Sequence, residues 1–158
     1  MSNGVRPRRN GRYEIRIGKA ERELLRSLVV QMRALLEERA DPDDAVIGRL
    51  FPVAYPDERD EDRQTEYRLL VHDELRSSLR TALGVLEKSL STKSLDESRM
   101  VSSMRAINSL RLVLGAKLGV TEEGDERPTT DDDPRTGVFA VYDFLTWLQG
   151  EMLEALAS

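Results

Sequence analysis

The chain has 158 residues, of which 39% are hydrophobic and 34% charged, with a net charge of −5 and no cysteine. That length suits a single domain (residues 1–158) able to bury roughly 70% of its unfolded surface. Without cysteine there are no disulfides, thiolate zinc sites, iron–sulfur ligation or cysteine nucleophiles.

Charge is unevenly spread. Residues 1–40 carry ten basic and five acidic side chains, and residues 41–80 carry six and eleven. Residues 81–120 carry six and three, and residues 121–158 two and ten. A basic head and an acidic tail either attract each other or select different partners, unless surface charge is simply clustered. The arginine-rich start has no apolar h-region, so no Sec-type signal is expected. Asp143 interrupts the best apolar run, Phe139 to Leu148, well short of the ~20 residues of a membrane span. A cytoplasmic protein with no membrane contact is the expectation.

In residues 12–17 Tyr13, Ile15 and Ile17 alternate with Arg12, Glu14 and Arg16, which is strand periodicity. Asn10–Gly11 suits the positive φ angles of a tight hairpin turn, and Pro7 confines a returning strand over residues 5–9 to an edge. The spacing predicts a small β element over residues 5–17, either a hairpin or one strand that needs a partner elsewhere.

A first helix is predicted from Lys19 to Ala40, with Leu24, Leu25, Leu28, Val29, Met32, Leu35 and Leu36 on one broad face. Asp41 as N-cap and Pro42 at the first position predict a short helix to Phe51. Pro52 and Pro56 then stop helical structure and stiffen Phe51 to Tyr55 into an extended connector. A long helix is predicted over Glu61–Leu90, its buried side running from Tyr67 through Leu75, Leu79, Leu83 and Leu86. Ser94 and Glu97 have the spacing of a capping box for the next helix. That helix places Val101, Met104, Ile107, Leu110, Leu114 and Leu118 inward and ends at Gly119. The short link between the two implies an antiparallel pair. Residues 120–136, acidic and bearing Pro128 and Pro134, read as a mobile linker, and a last helix is predicted over residues 138–157. The fold class is all-α, an antiparallel bundle of about five helices with a small N-terminal β-strand or hairpin.

Catalytic sites are hard to assemble from this inventory. His72 is the one histidine. Arg76 lies one turn from it, and Arg68 one turn the other way, which disfavours both a proton and a metal cation there. His72 is expected to be half-buried or at the surface, without a chemical role. No Gly-x-Ser-x-Gly turn or phosphate-cradling glycine loop is present. Asp131, Asp132 and Asp133 read as a solvated charge run rather than a cation site. No catalytic residue, metal site or cofactor is therefore expected, and the protein is expected not to be an enzyme.

Binding is better served. Lys19, Arg22, Arg26 and Arg33 share one side of the first helix, opposite its leucines, and Arg12 and Arg16 precede them. This stripe is an ordinary solvated face, a dock for a protein partner, or a phosphate contact. No aromatics interleave it to stack on bases, and the carboxylates of Asp43 and Asp44 disfavour a helix-turn-helix over the first two helices, so direct DNA contact is expected to be weak or absent. Trp147 projects among Asp143, Glu151 and Glu154, where it either contacts a partner or is covered by another part of the chain.

Three blocks carry a family resemblance. They are Arg49–Leu–Phe–Pro–Val–Ala–Tyr–Pro–Asp57, Ala106–Ile–Asn–Ser–Leu–Arg–Leu–Val–Leu–Gly–Ala–Lys–Leu–Gly–Val120 and Tyr142–Asp–Phe–Leu–Thr–Trp–Leu–Gln149. In that order the chain resembles the actinobacterial oxidative-stress transcription regulators (the AosR family), formerly catalogued as a domain of unknown function. The resemblance implies a non-enzymatic regulator that contacts a protein partner such as a sigma factor or RNA polymerase. Redox sensing in that family is linked to paired cysteines, so no thiol switch carries over to this chain. A helical adaptor or homodimeric scaffold without a transcription role is the alternative. The expected contact residues are Arg12, Arg16, Lys19, Arg22, Arg26, Arg33 and Trp147, with Phe51, Pro52, Tyr55 and Pro56 as a structural connector.

Overall fold

The structure is a computed structural model that describes residues 4–37, 61–120 and 127–158, with side chains described from residue 72 onward in the second of these segments. The predicted helix to Phe51, the connector of Phe51, Pro52, Tyr55 and Pro56, and residues 121–126 of the predicted linker lie outside the described residues. Among the described residues there are two strands, β1 (Gly4–Pro7) and β2 (Tyr13–Arg16), and four helices. The helices are α1 (Lys19–Glu37), α2 (Glu61–Ser89), α3 (Glu97–Leu118) and α4 (Arg135–Ala157).

The β element is a hairpin. β1 and β2 pair antiparallel, with Val5 opposite Ile15 and Arg6 opposite Glu14. Its turn differs from the Asn–Gly type expected, because Asn10 does not take a positive φ. The Gly11 amide donates to the Arg8 carbonyl at 3.2 Å and the Arg8 amide to the Arg12 carbonyl at 2.7 Å. Gly11 alone goes left-handed, at φ 76°. A three-residue loop of this kind needs one left-handed residue at its end, where the two-residue type needs a pair. On its other edge β2 is extended by one bridge, in which Tyr13 and Leu95 exchange amide hydrogen bonds of 2.8 and 2.7 Å.

The hairpin's inner face, Val5 and Ile15, is buried with Ile17. β1 lies against α4, where the Val5 amide donates to Glu151 Oε2 at 3.5 Å. A strand edge with a free N–H is thus covered by a carboxylate instead of a further strand.

α2 and α3 run antiparallel. Ser89 at the end of α2 meets Ser103, two turns into α3, with their hydroxyls 3.2 Å apart in the core. The N-cap of α3 is Asp96, whose carboxylate accepts the Arg99 amide at 2.8 Å, and not Ser94 as the capping-box spacing suggested. Ser94 is drawn away by Arg12, which donates to its hydroxyl and its carbonyl at 2.8 and 3.0 Å. Gly119 closes α3 as predicted, at φ 74°, and its amide bonds back to Ala116.

α3 packs against α2 on one side and α4 on the other. That double contact explains why periodicity read its buried face only in part, finding Ile107 and Leu110, with Met104 and Leu114 partly buried, but placing Val101 inward. Met100, Ser103, Ala106, Ile107, Leu110 and Val113 are buried, while Val101 is 39% exposed. A helix with two partners has apolar residues on two sides, and the single-stripe pattern loses its phase. α1 and α2 bury Leu25, Val29, Met32, Leu36, Leu79, Leu83 and Leu86 as expected, with Leu28, Leu35 and Leu75 partly buried against them, while Tyr67 lies outside the described side chains; α4 buries Leu145, Leu148 and Met152. α4 begins at Arg135, three residues before the predicted start. The Asp133 carboxylate accepts the Arg135 amide at 2.9 Å, so one member of the acidic triplet tethers the helix's first turn.

Candidate functional site

The predicted arginine stripe lies beside the core face of α1, about a quarter turn from the line of Leu25, Val29, Met32 and Leu36, rather than opposite it. Leu24, Leu28 and Leu35 widen the apolar face on the far side, which leaves the arginines bordering α2. Three of them reach across that border. Arg22 donates through one Nη to the Leu90 carbonyl and through the other to the Ile15 carbonyl at 3.0 Å. Arg26 donates to Ser91 Oγ at 3.2 Å, and Arg33 Nη1 pairs with Glu87 Oε2 at 2.6 Å. With Arg12 on Ser94, three of the predicted contact residues hold the α2–α3 connection to the hairpin and α1, and Arg33 ties α1 to α2 itself. Lys19 is exposed at the start of α1, and Arg16 stays on the outer face of β2 beside Glu14.

Those staples frame an open groove of about 840 Å³ between α1 and the start of α3, over the last turns of α2. Val30, Val85 and Leu95 are its apolar lining, and Arg26, Lys88 and Arg99 are cations around it. Val30 is the most exposed of the large aliphatic side chains described, at 62%. Glu87, the one carboxylate among the lining residues, is the ion-pair partner of Arg33. Sequence reasoning found Arg26 but missed Val30, Lys88 and Arg99, which come from three helices and share no pattern along the chain.

Trp147 is 40% exposed on α4, tilted against Phe144 at 6.0 Å between ring centroids. Leu153, at 51%, lies further along the same exposed surface, with Gly150 between them. Asp143, one of the carboxylates expected around Trp147, is held in a two-pronged pair by Arg127 at 2.7 and 2.8 Å. The Arg127 guanidinium also lies 4.9 Å from the centre of the Phe139 ring. Its hydrogen bonds hold the Asp143 carboxyl below the ordinary aspartate range.

His72 is 9% exposed and counts as buried, more deeply placed than expected. Met100 and Met152 are fully buried, in keeping with core packing. Among the described residues no three histidine or carboxylate side chains gather as metal ligands, and no helix is long and apolar enough to cross a membrane.

Fold and surface together define a helical protein whose arginines brace its own framework around an open groove. The family model described as a domain of unknown function (DUF2017) matches residues 2–156, and the chain belongs to that family. Neither the curated proteins nor the solved structures contain a match to it.

Proposed function

We propose that this protein is a non-enzymatic regulator that works by gripping another protein, in the transcription-linked role implied by its resemblance to oxidative-stress regulators. The observation that carries the reading is the groove between α1 and α3. A concave site with apolar lining and cations spaced around it suits an amphipathic helix whose apolar side chains enter while its carboxylates meet Arg26, Lys88 and Arg99. A ligand with a single acidic head group would leave most of those cations unused. A sigma factor or an RNA polymerase subunit is the partner this reading expects, and cysteine chemistry takes no part in it.

The test is capture of purified polymerase subunits and sigma factors by the wild type and by a K88E/R99E variant. Both substituted residues are exposed groove cations without a part in the framework, unlike Arg22 and Arg33. Capture by the wild type that the variant loses supports the reading. Equal capture by both, or capture by neither, overturns it.

A second reading, a helical adaptor or homodimeric scaffold with no transcription role, draws on the exposed Trp147 and Leu153 of α4. It expects a concentration-dependent dimer in sedimentation that W147A abolishes. A monomer at every concentration removes the homodimer.

A further inference from the structure

The arginines of the hairpin have a different fate from those of α1. Arg6 and Arg16 are exposed on the outer face of the ribbon, opposite Val5 and Ile15, and Arg8 and Arg9 continue it into the turn. Glu14 is the carboxylate among them, 3.0 Å from Arg16 Nε and 3.7 Å from Arg8 Nη1. The Arg16 hydrogen bond, with the positive field of Arg16, Arg8 and Arg6, keeps the Glu14 carboxyl below its ordinary range. Three guanidiniums therefore face one carboxylate, with Arg9 beside them in the turn. Two shallow depressions of about 560 and 550 Å³ flank this centre and share Arg8, Glu14 and Arg16, and Lys93 extends the second.

We propose that this outer face of the β1–β2 ribbon is a contact for duplex nucleic acid, holding backbone phosphates through Arg6, Arg8, Arg9 and Arg16 without reading base sequence. The proposal does not depend on the groove or its partner. A protein interface of useful affinity needs a buried apolar or aromatic anchor. Pro7 is the one exposed apolar side chain lining either depression, since Ile15 and Leu90 are buried. Charge without an anchor suits a polyanion, whose binding is driven by release of condensed counterions.

The cations of the ribbon are arginines, whose planar fork takes two phosphate oxygens at once. Glu14 bridges Arg8 and Arg16 and offsets one positive charge, so the contact is weak and sensitive to salt.

The experiment is fluorescence anisotropy of a short labelled DNA duplex with the full chain. Neutralising about four phosphates predicts binding that weakens on the order of a hundredfold between about 50 and about 200 mM salt. An R8Q/R9Q/R16Q variant, shown to be folded by circular dichroism, is expected to bind at least about tenfold more weakly at the lower salt, with the log–log salt slope reduced by about three. The groove variant K88E/R99E is expected to bind the duplex within about twofold of the wild type, which separates this surface from the protein dock. R9Q, which alters a turn residue with no ion-pair partner among the described residues, is expected to show a smaller loss in the same direction. Wild-type affinity in the triple variant overturns the proposal. So does displacement of the duplex by polyglutamate at equal charge, which would assign the face to acidic proteins.

Discussion

Arginine is the residue through which this chain organises itself, and Arg22 shows how. Its two Nη groups bond carbonyls from the end of α2 and from β2, elements far apart in sequence. Hydrogen bonds from a charged donor contribute about 1.5–3 kcal/mol. Arg22→Ala is expected to lower stability by that order in urea unfolding. Arg22→Lys recovers little, because an ammonium lacks the fork that spans both carbonyls.

The Arg127–Asp143 pair belongs to a weaker class. Its side chains are 45% and 53% exposed, so water screens it and Asp143→Asn is expected to cost no more than about 1 kcal/mol. The Asp143 carboxyl titrates lower in the folded chain than in the unfolded one. Its contribution is therefore complete above the ordinary aspartate value of ~3.9 and is lost as pH falls through the folded value. Wild type and Asp143→Asn should differ in urea unfolding at neutral pH and converge as pH falls below the folded value.

For whole elements, caps and edges decide more than propensity. Asp96 and Ser94 both precede α3, and only the hydrogen bonds distinguish cap from staple. Asp96→Ala is expected to cost about 1 kcal/mol through loss of the cap. Ser94→Ala should instead perturb Arg12 and the hairpin, a difference visible in amide exchange of Tyr13 against Arg99. Gly119→Ala is expected to cost about 1 kcal/mol, because the left-handed C-cap disfavours a β-carbon. The hairpin is a marginal unit that depends on what it rests on. Removing Glu151 from beside β1 should speed hydrogen exchange at the Val5 amide while α2 and α3 stay protected.

At the scale of the molecule, α2 and α3 form the spine, α1 packs mainly on α2, α4 packs on α3, and the hairpin lies against α4 through β1. Leu86 is fully buried in α2, and Leu86→Ala is expected to cost about 2–5 kcal/mol. Two surfaces leave that core with separate chemistries. The groove joins apolar lining to cations and suits an acidic amphipathic helix, whereas the ribbon offers charge alone. Their variants are disjoint, so each proposal can fail without the other.

Among the described residues, the elements and most of their buried faces were legible along the chain. The strand alternation, the leucine spacing of α1 and α2 and the glycine stop of α3 are local signals, since each rests on backbone geometry or a one-sided hydrophobic period. Contacts between elements had no such signal. Whether Arg22 faced water or two carbonyls depended on how α2 ends against β2, and whether Ser94 capped a helix depended on Arg12, 82 residues away. Val30, Lys88 and Arg99 became one site only when three helices brought them together. Sequence by itself determined which of the described segments are helical, which are extended, and that basic charge is concentrated at the start. Tertiary packing decided which of those charges brace the fold and which are left facing solvent, because a guanidinium's role is set by the partner that comes within hydrogen-bond reach.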